Sequence, residues 1–206
     1  MLTIDNLSLF RNHKKIFENI GFSIELGSAL VINGKNGSGK SSLLKIIAGI
    51  SKQTLGKILW SEIDIDEMRE DFNGDLQFIG HKNFLKQELT VVENLKFYAS
   101  LQDTEILIPA ALNFFGLENL ANEKVKKLSA GWQKKVMLSK LLCCPATIWL
   151  LDEPSESLDN EAKERLRGLI ETKIKDGKGL VIIATHDEIF NKFGMIIKME
   201  DFNPNP

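Results

Sequence analysis

The apolar positions along the chain change period twice, and the changes divide it into three parts. In the first part, Leu7-Ser8-Leu9-Phe10 and Phe22-Ser23-Ile24-Glu25-Leu26 alternate apolar with polar residues, the pattern of half-buried antiparallel strands. Ala29-Leu30-Val31-Ile32 does not alternate; a short continuous apolar run predicts a strand buried on both faces. A helix is expected over 40–48, carrying Leu43, Leu44, Ile46 and Ile47, with Gly49 at its C′ position, and 57–60 reads as a further strand. From 84 to 145 apolar residues recur at helical spacing, first Val91, Val92, Leu95, Phe97 and Tyr98, then Ala110, Ala111, Phe114 and Phe115. This part reads as a small helical subdomain inserted between two strands of a sheet. The last part returns to continuous runs: 147–151 and 180–184 as buried strands and 195–199 as a fourth. Between the first two, a helix over 159–176 is capped by Asp159 and followed by Gly177. Strands alternating with helices imply a parallel sheet with right-handed crossovers. Ligands bind beyond the carboxyl ends of such strands, so the chemistry is expected just after residues 32, 151 and 184.

Composition narrows the class. At 206 residues the chain is one domain, long enough to bury a core without staples. With 26 Lys and Arg against 28 Asp and Glu, the net charge of −2 gives no reason to expect direct nucleic-acid binding. The adjacent Cys143 and Cys144 cannot frame a disulfide fold and suggest a reducing compartment. No apolar run is long enough to span a bilayer. The first five residues, interrupted by Asp5, do not read as a signal peptide, and the polar tail from Glu200 is expected to fray.

The expected ligand edge carries motifs. Gly34-Lys35-Asn36-Gly37-Ser38-Gly39-Lys40-Ser41 is a phosphate-binding P-loop placed between a strand and a helix. Its glycines let backbone N–H groups converge on phosphate oxygens, and the positive end of the helix adds to that anion site. Lys40 supplies a point charge to the β- and γ-phosphates and Ser41 a hydroxyl to Mg²⁺. After the second buried strand, Asp152 is placed to anchor the metal shell and Glu153 to orient or deprotonate a water. His186, after the third, faces the same edge, where it can touch the γ-phosphate. Leu128-Ser129-Ala130-Gly131-Trp132 precedes an apolar helix, with Ser129 as its N-cap.

In this order, and across nearly the whole chain, the set resembles the nucleotide-binding subunits of ABC transporters. Residues 34–41 correspond to Walker A, 148–153 to Walker B with the catalytic glutamate, and 128–132 to the signature written LSGGQ. Ser157-Leu158-Asp159 corresponds to the D-loop and His186 to the switch histidine. The resemblance implies an α/β P-loop NTPase of ABC type within a single ATP-binding domain, 1–206. Its core is a mainly parallel sheet, with an N-terminal antiparallel β subdomain and the helical subdomain at 84–145. It implies an ATPase whose catalytic residues are Lys40, Glu153 and His186. ATP is held by Gly34, Lys35, Asn36, Gly37, Ser38, Gly39, Lys40, Ser41 and Ser42, with Asp159. In an ATP-bound head-to-tail homodimer, Ser129 and Gly131 reach the nucleotide of the other copy. Ser41 and Asp152 hold Mg²⁺, with His81 assigned to the same shell.

Four positions depart from the pattern. Gly80-His81 stands where a glutamine is usual, Ala130 replaces the first signature glycine, and Trp132 replaces the signature glutamine. Arg11, with Phe10 beside it, occupies the place of the adenine-stacking aromatic. Gly-His followed by Leu89-Thr90 and Glu93-Asn94-Leu95, with an LSAG signature, is similar to the subfamily serving haem export in cytochrome c maturation. That resemblance implies a peripheral subunit on the cytoplasmic face of a bacterial inner membrane, docked on integral membrane partners and handling haem only indirectly. The competing readings are an ABC exporter of lipid, peptide or drug, and a non-transport ABC ATPase acting on DNA or the ribosome. The interval from Lys40 to Asp152 leaves no room for the long coiled coil of the DNA-acting kind.

Overall fold

The structure is a computed structural model that describes residues 1–12, 14–81 and 84–202. Two sheets form. The first pairs β1 (Leu2–Arg11) with β2 (Lys14–Ile24) and with β4 (Leu55–Trp60), and β5 (Ile63–Asp64) extends it in the order β2-β1-β4-β5, antiparallel throughout. The second contains β3 (Ser28–Asn33), β6 (Leu76–Ile79), β7 (Ile148–Asp152), β8 (Leu180–Thr185) and β9 (Gly194–Lys198). Its order is β6-β7-β8-β3-β9, all parallel.

The continuous apolar runs are explained by the two faces of this second sheet. Ala29 and Val31 of β3 point to one side, with Trp149, Leu151, Val181 and Ile183. Leu30 and Ile32 point to the other, with Ile148, Leu150, Leu180 and Ile182. The first face packs against α3 (Val91–Ala99), α4 (Ile108–Phe115), α5 (Ala130–Cys143) and α6 (Asn160–Lys175). The second face is covered by α1 (Lys40–Ile47), by Phe72 of α2 (Arg69–Gly74) and by the antiparallel sheet through Leu2, Ile4, Phe17 and Ile20. With helices on both sides, every strand of the sheet's middle is shielded from water, so only its ends meet solvent.

The Thr90-to-Leu95 stretch, singled out for its resemblance, has a local job. Thr90 accepts from the Glu93 amide at 3.2 Å and its own amide donates to Glu93 Oε2 at 2.8 Å, a reciprocal capping box that starts α3. Asn94, fully buried, bonds both backbone groups of Lys86 and so ties the incoming loop to the helix. Ser129 and Asp159 cap α5 and α6 as expected.

Two expectations are corrected. The fourth buried strand is an edge strand: among the described residues β9 pairs only with β3, leaving Met195 and Ile196 exposed. The tail does not fray at Glu200. Residues Met199–Phe202 form a short 3₁₀ turn, with Met199 buried and Glu200 Oε1 accepting the Lys35 amide at 2.7 Å. Residues 203–206 lie outside the described residues. The elements α2 and β5 went unforeseen, being too short to show a period.

The two strand environments make opposite demands. Ile182→Ala, in the middle strand, is expected to cost about 2–5 kcal/mol of stability. Met195→Ala, on the edge, should cost about 0.5 kcal/mol or less. Urea unfolding of the two variants beside the parent measures both.

Candidate functional site

A cavity of about 380 Å³ opens at the carboxyl edge of the parallel sheet. Residues 35–42, His81, Glu153 and His186 line it, together with Ile16 and Glu156. The loops after β3, β7 and β8 thus converge where the topology requires. The Gly39 cap of α1 has φ +104°, a conformation that strains any other residue, and it offers no side chain to the first turn. The first-turn amides therefore face the cavity without a side-chain cap, which suits an anion. Among the described residues Ser38 Oγ is buried without a hydrogen-bond partner, and it lines the same cradle, a further group suited to an incoming oxyanion.

Lys40 is 6% exposed. Its Nζ donates to the Gly34 carbonyl at 2.6 Å and lies 3.4 Å from Glu153 Oε1. Glu153 opens the loop after β7 with φ +45°, which turns its carboxylate toward the cavity. Oε2 accepts the Thr185 hydroxyl at 3.1 Å and lies 3.0 Å from His186 Nδ1. On the cavity lining, Ser41 Oγ donates to Asp152 Oδ1 at 2.9 Å. That hydroxyl and that carboxylate are hard oxygen donors of the kind Mg²⁺ takes, with phosphates and water completing its shell. No cluster of three or more His, Cys, Asp or Glu suited to a metal occurs among the described residues, so the protein alone builds no closed metal cage.

His81 lines the cavity, and its Nδ1 is 2.8 Å from Glu156 Oε2. Its immediate partner is thus a carboxylate reaching from the loop after β7. The structure does not bring Ser129, Gly131 and Asp159 to this cavity. Ser129 and Gly131 open α5, and Gly131 has a packing reason of its own: a Cβ there would stand 2.7 Å from the Ser157 carbonyl oxygen. Asp159 accepts the Ala162 amide at 2.8 Å and pairs with Lys135 at 2.7 Å. Lys135 also lies over the Trp132 ring, 4.3 Å from its centroid. Neither Arg11 nor Phe10 lines the cavity; Ile16, from β2, supplies the apolar wall instead. No signal in the sequence singles out Ile16. Glu156 was legible only as a third acidic residue within five positions of Asp152.

The Asp159 carboxyl is held below its ordinary range, first by Lys135 and then by the Ala162 amide. Asp159→Ala should therefore cost about 1 kcal/mol at pH 7, chiefly through the lost cap. A depressed pKa contributes stability above the unfolded value and loses it as pH falls through the folded value. The gap between parent and variant should accordingly narrow below pH 4, as urea unfolding at pH 7 and pH 3 would read.

Comparison with known proteins gives concordant matches. The family model described as "ABC transporter" matches residues 17–156. The cytochrome c biogenesis ATP-binding export protein CcmA of Vibrio cholerae is 38% identical over 193 residues, covering 92% of this chain and 93% of the relative. The protein of the same name from Wolbachia pipientis is 39% identical, covering 90% and 89%. Among solved structures, the dimeric post-hydrolysis state of the ATP-binding cassette MJ0796, bound to ADP and Pi, superposes with a TM-score of 0.86. It shares 25% identity and covers 96% of this chain and 94% of that one.

Proposed function

The chain belongs to the ABC transporter family as an ATP-binding, ATP-hydrolysing subunit, and on that premise we propose that it drives haem export for cytochrome c biogenesis. The observation that carries the catalytic part is the convergence of Lys40, Ser41, Glu153 and His186 on one cavity, with Ser41 bonded to Asp152. The likeness to the CcmA proteins over most of the chain supports the haem-export part.

In this reading, incoming phosphate oxygens take the place of the Gly34 carbonyl as the partner of Lys40 Nζ. The uncapped first turn of α1 and the Ser38 hydroxyl complete the cradle. Ser41 and Asp152 would hold Mg²⁺, which would supply charge neutralisation to the phosphates. Glu153 accepts a hydrogen bond, then the proton, from the attacking water. Thr185 and His186 fix the orientation of its carboxylate. Most of the acceleration comes from positioning and fixed charge rather than covalent chemistry. Ser129 and Gly131 lie outside their own chain's cavity, which supports their role toward the nucleotide of a second copy; Asp159 accompanies them at that face.

No described helix is long and apolar enough to cross a membrane, so transport needs integral membrane subunits. The 81–94 segment, leading from His81 into the capped start of α3, is the route by which closure reaches them. The chain sits on the cytoplasmic face of the inner membrane and touches haem only through these partners.

Glu153→Gln should lower ATP turnover by about 10²–10⁴-fold while nucleotide still binds, and Lys40→Met should abolish both. A Glu153→Gln protein with parental turnover would remove that residue from the mechanism. For the transport assignment, the chain is purified from gently solubilised native membranes. Integral membrane subunits and haem absorbance in the eluate are expected. A permease without haem would discard the haem assignment, and ribosomes or DNA with no membrane protein would discard transport.

A further inference from the structure

Behind the His81–Glu156 pair lies a second cavity, of about 170 Å³, lined by Ala130, Gln133 and Lys134 of α5, by Met137, and by Ser157. His81 and Glu156 line both cavities, so this one pair forms the wall between them. The second cavity sits against the first turns of α5, a helix of 14 residues whose amino-terminal end favours anions. It also holds a buried cation. Lys134 is 7% exposed, and its side chain makes no hydrogen bond or ion pair among the described residues. The carboxylates of Glu156, Asp152 and Glu153 act on it only at longer range. Burial depresses its pKa, which marks the cost of holding an ammonium in a largely buried place without a direct partner.

We propose that this cavity is a binding site for inorganic phosphate, which holds the product after it leaves the P-loop cavity past the His81–Glu156 pair. The proposal rests on the ATPase reading for the source of the phosphate; its cation, Lys134, lies outside that machinery, while His81 and Glu156 line both cavities. Lys134 and the α5 terminus supply positive potential. Glu156 supplies an acceptor and no donor, so it disfavours a fully deprotonated anion. Phosphate near neutral pH carries a P–OH that can donate to that carboxylate; sulfate carries none. The site is thus selective for phosphate over sulfate.

The full-length chain is titrated with radiolabelled inorganic phosphate by equilibrium dialysis, its P-loop cavity filled with a non-hydrolysable ATP analogue. One phosphate per chain is expected, with sulfate a poor competitor. Lys134→Met should weaken the binding at least tenfold and Lys134→Arg should restore most of it. In turnover, a phosphate sensor should report altered phosphate release in Lys134→Met, with the ATP-binding affinity at its parental value. No phosphate bound beyond the filled P-loop would overturn the proposal. So would binding indifferent to Lys134→Met, or equal competition by sulfate. Failure of the ATP analogue to bind would instead count against the ATPase reading. The dependence of phosphate binding on Lys134 would then still decide this site.

Discussion

Lys40 and Glu153 face each other at 3.4 Å with almost no exposure to water, and the site is arranged around that pair. Two charges in such a place are tolerated only when their remaining donors and acceptors are satisfied. The Gly34 carbonyl does this for the ammonium, and Thr185 and His186 do it for the carboxylate. Each partner comes from a different loop of the same sheet edge. The order of the strands therefore decides whether the pair can exist. Because β3 and β7 both lie beside β8, their carboxyl ends are brought within reach of one another and of Thr185.

The same edge explains why the helical segment matters to the chemistry. It leaves the sheet after β6, at Gly80-His81, and returns at β7, whose end carries Asp152 and Glu153. The two strands are neighbours, so the ends of the segment are fixed side by side in the sheet. Its helices share one continuous apolar core with that sheet face. The His81–Glu156 contact adds a polar tie from the start of the segment to the loop after β7. A displacement of α5 would move Lys134 and the Ser129 turn relative to the carboxylates of that loop.

The retained signature glycine and the departures from the family pattern have mixed physical standing. Gly131 is required by the Ser157 carbonyl pressed against it, whatever else it does. Trp132 packs its ring partly into the core of the helical segment and lies beneath Lys135, so the substitution is accommodated inside the chain. Nothing in the structure explains Ala130 in place of glycine. The wall supplied by Ile16 puts an aliphatic side chain beside the loop, rather than the aromatic or guanidinium face expected from 10–11.

The sequence by itself determined the parts governed by local rules. Continuous apolar runs flanked by helical patterns could only be strands of a parallel sheet buried on both sides, and that sheet fixed which edge carries the chemistry. The P-loop, Asp152, Glu153 and His186 were legible because their roles depend on position relative to a strand end. The caps at Ser129 and Asp159 were legible because capping is decided within four residues. Tertiary structure alone decided what depends on distant contact. The exposure of β9 follows from its place at the sheet edge, which apolar composition does not reveal. The ordering of Met199–Phe202 follows from Glu200 meeting an amide 165 positions away in sequence. His81, Glu156 and Lys134 come from three separate segments. Only the packing of α5 against the sheet edge makes them neighbours, because a side chain's surroundings are set by the fold and not by its place in the chain.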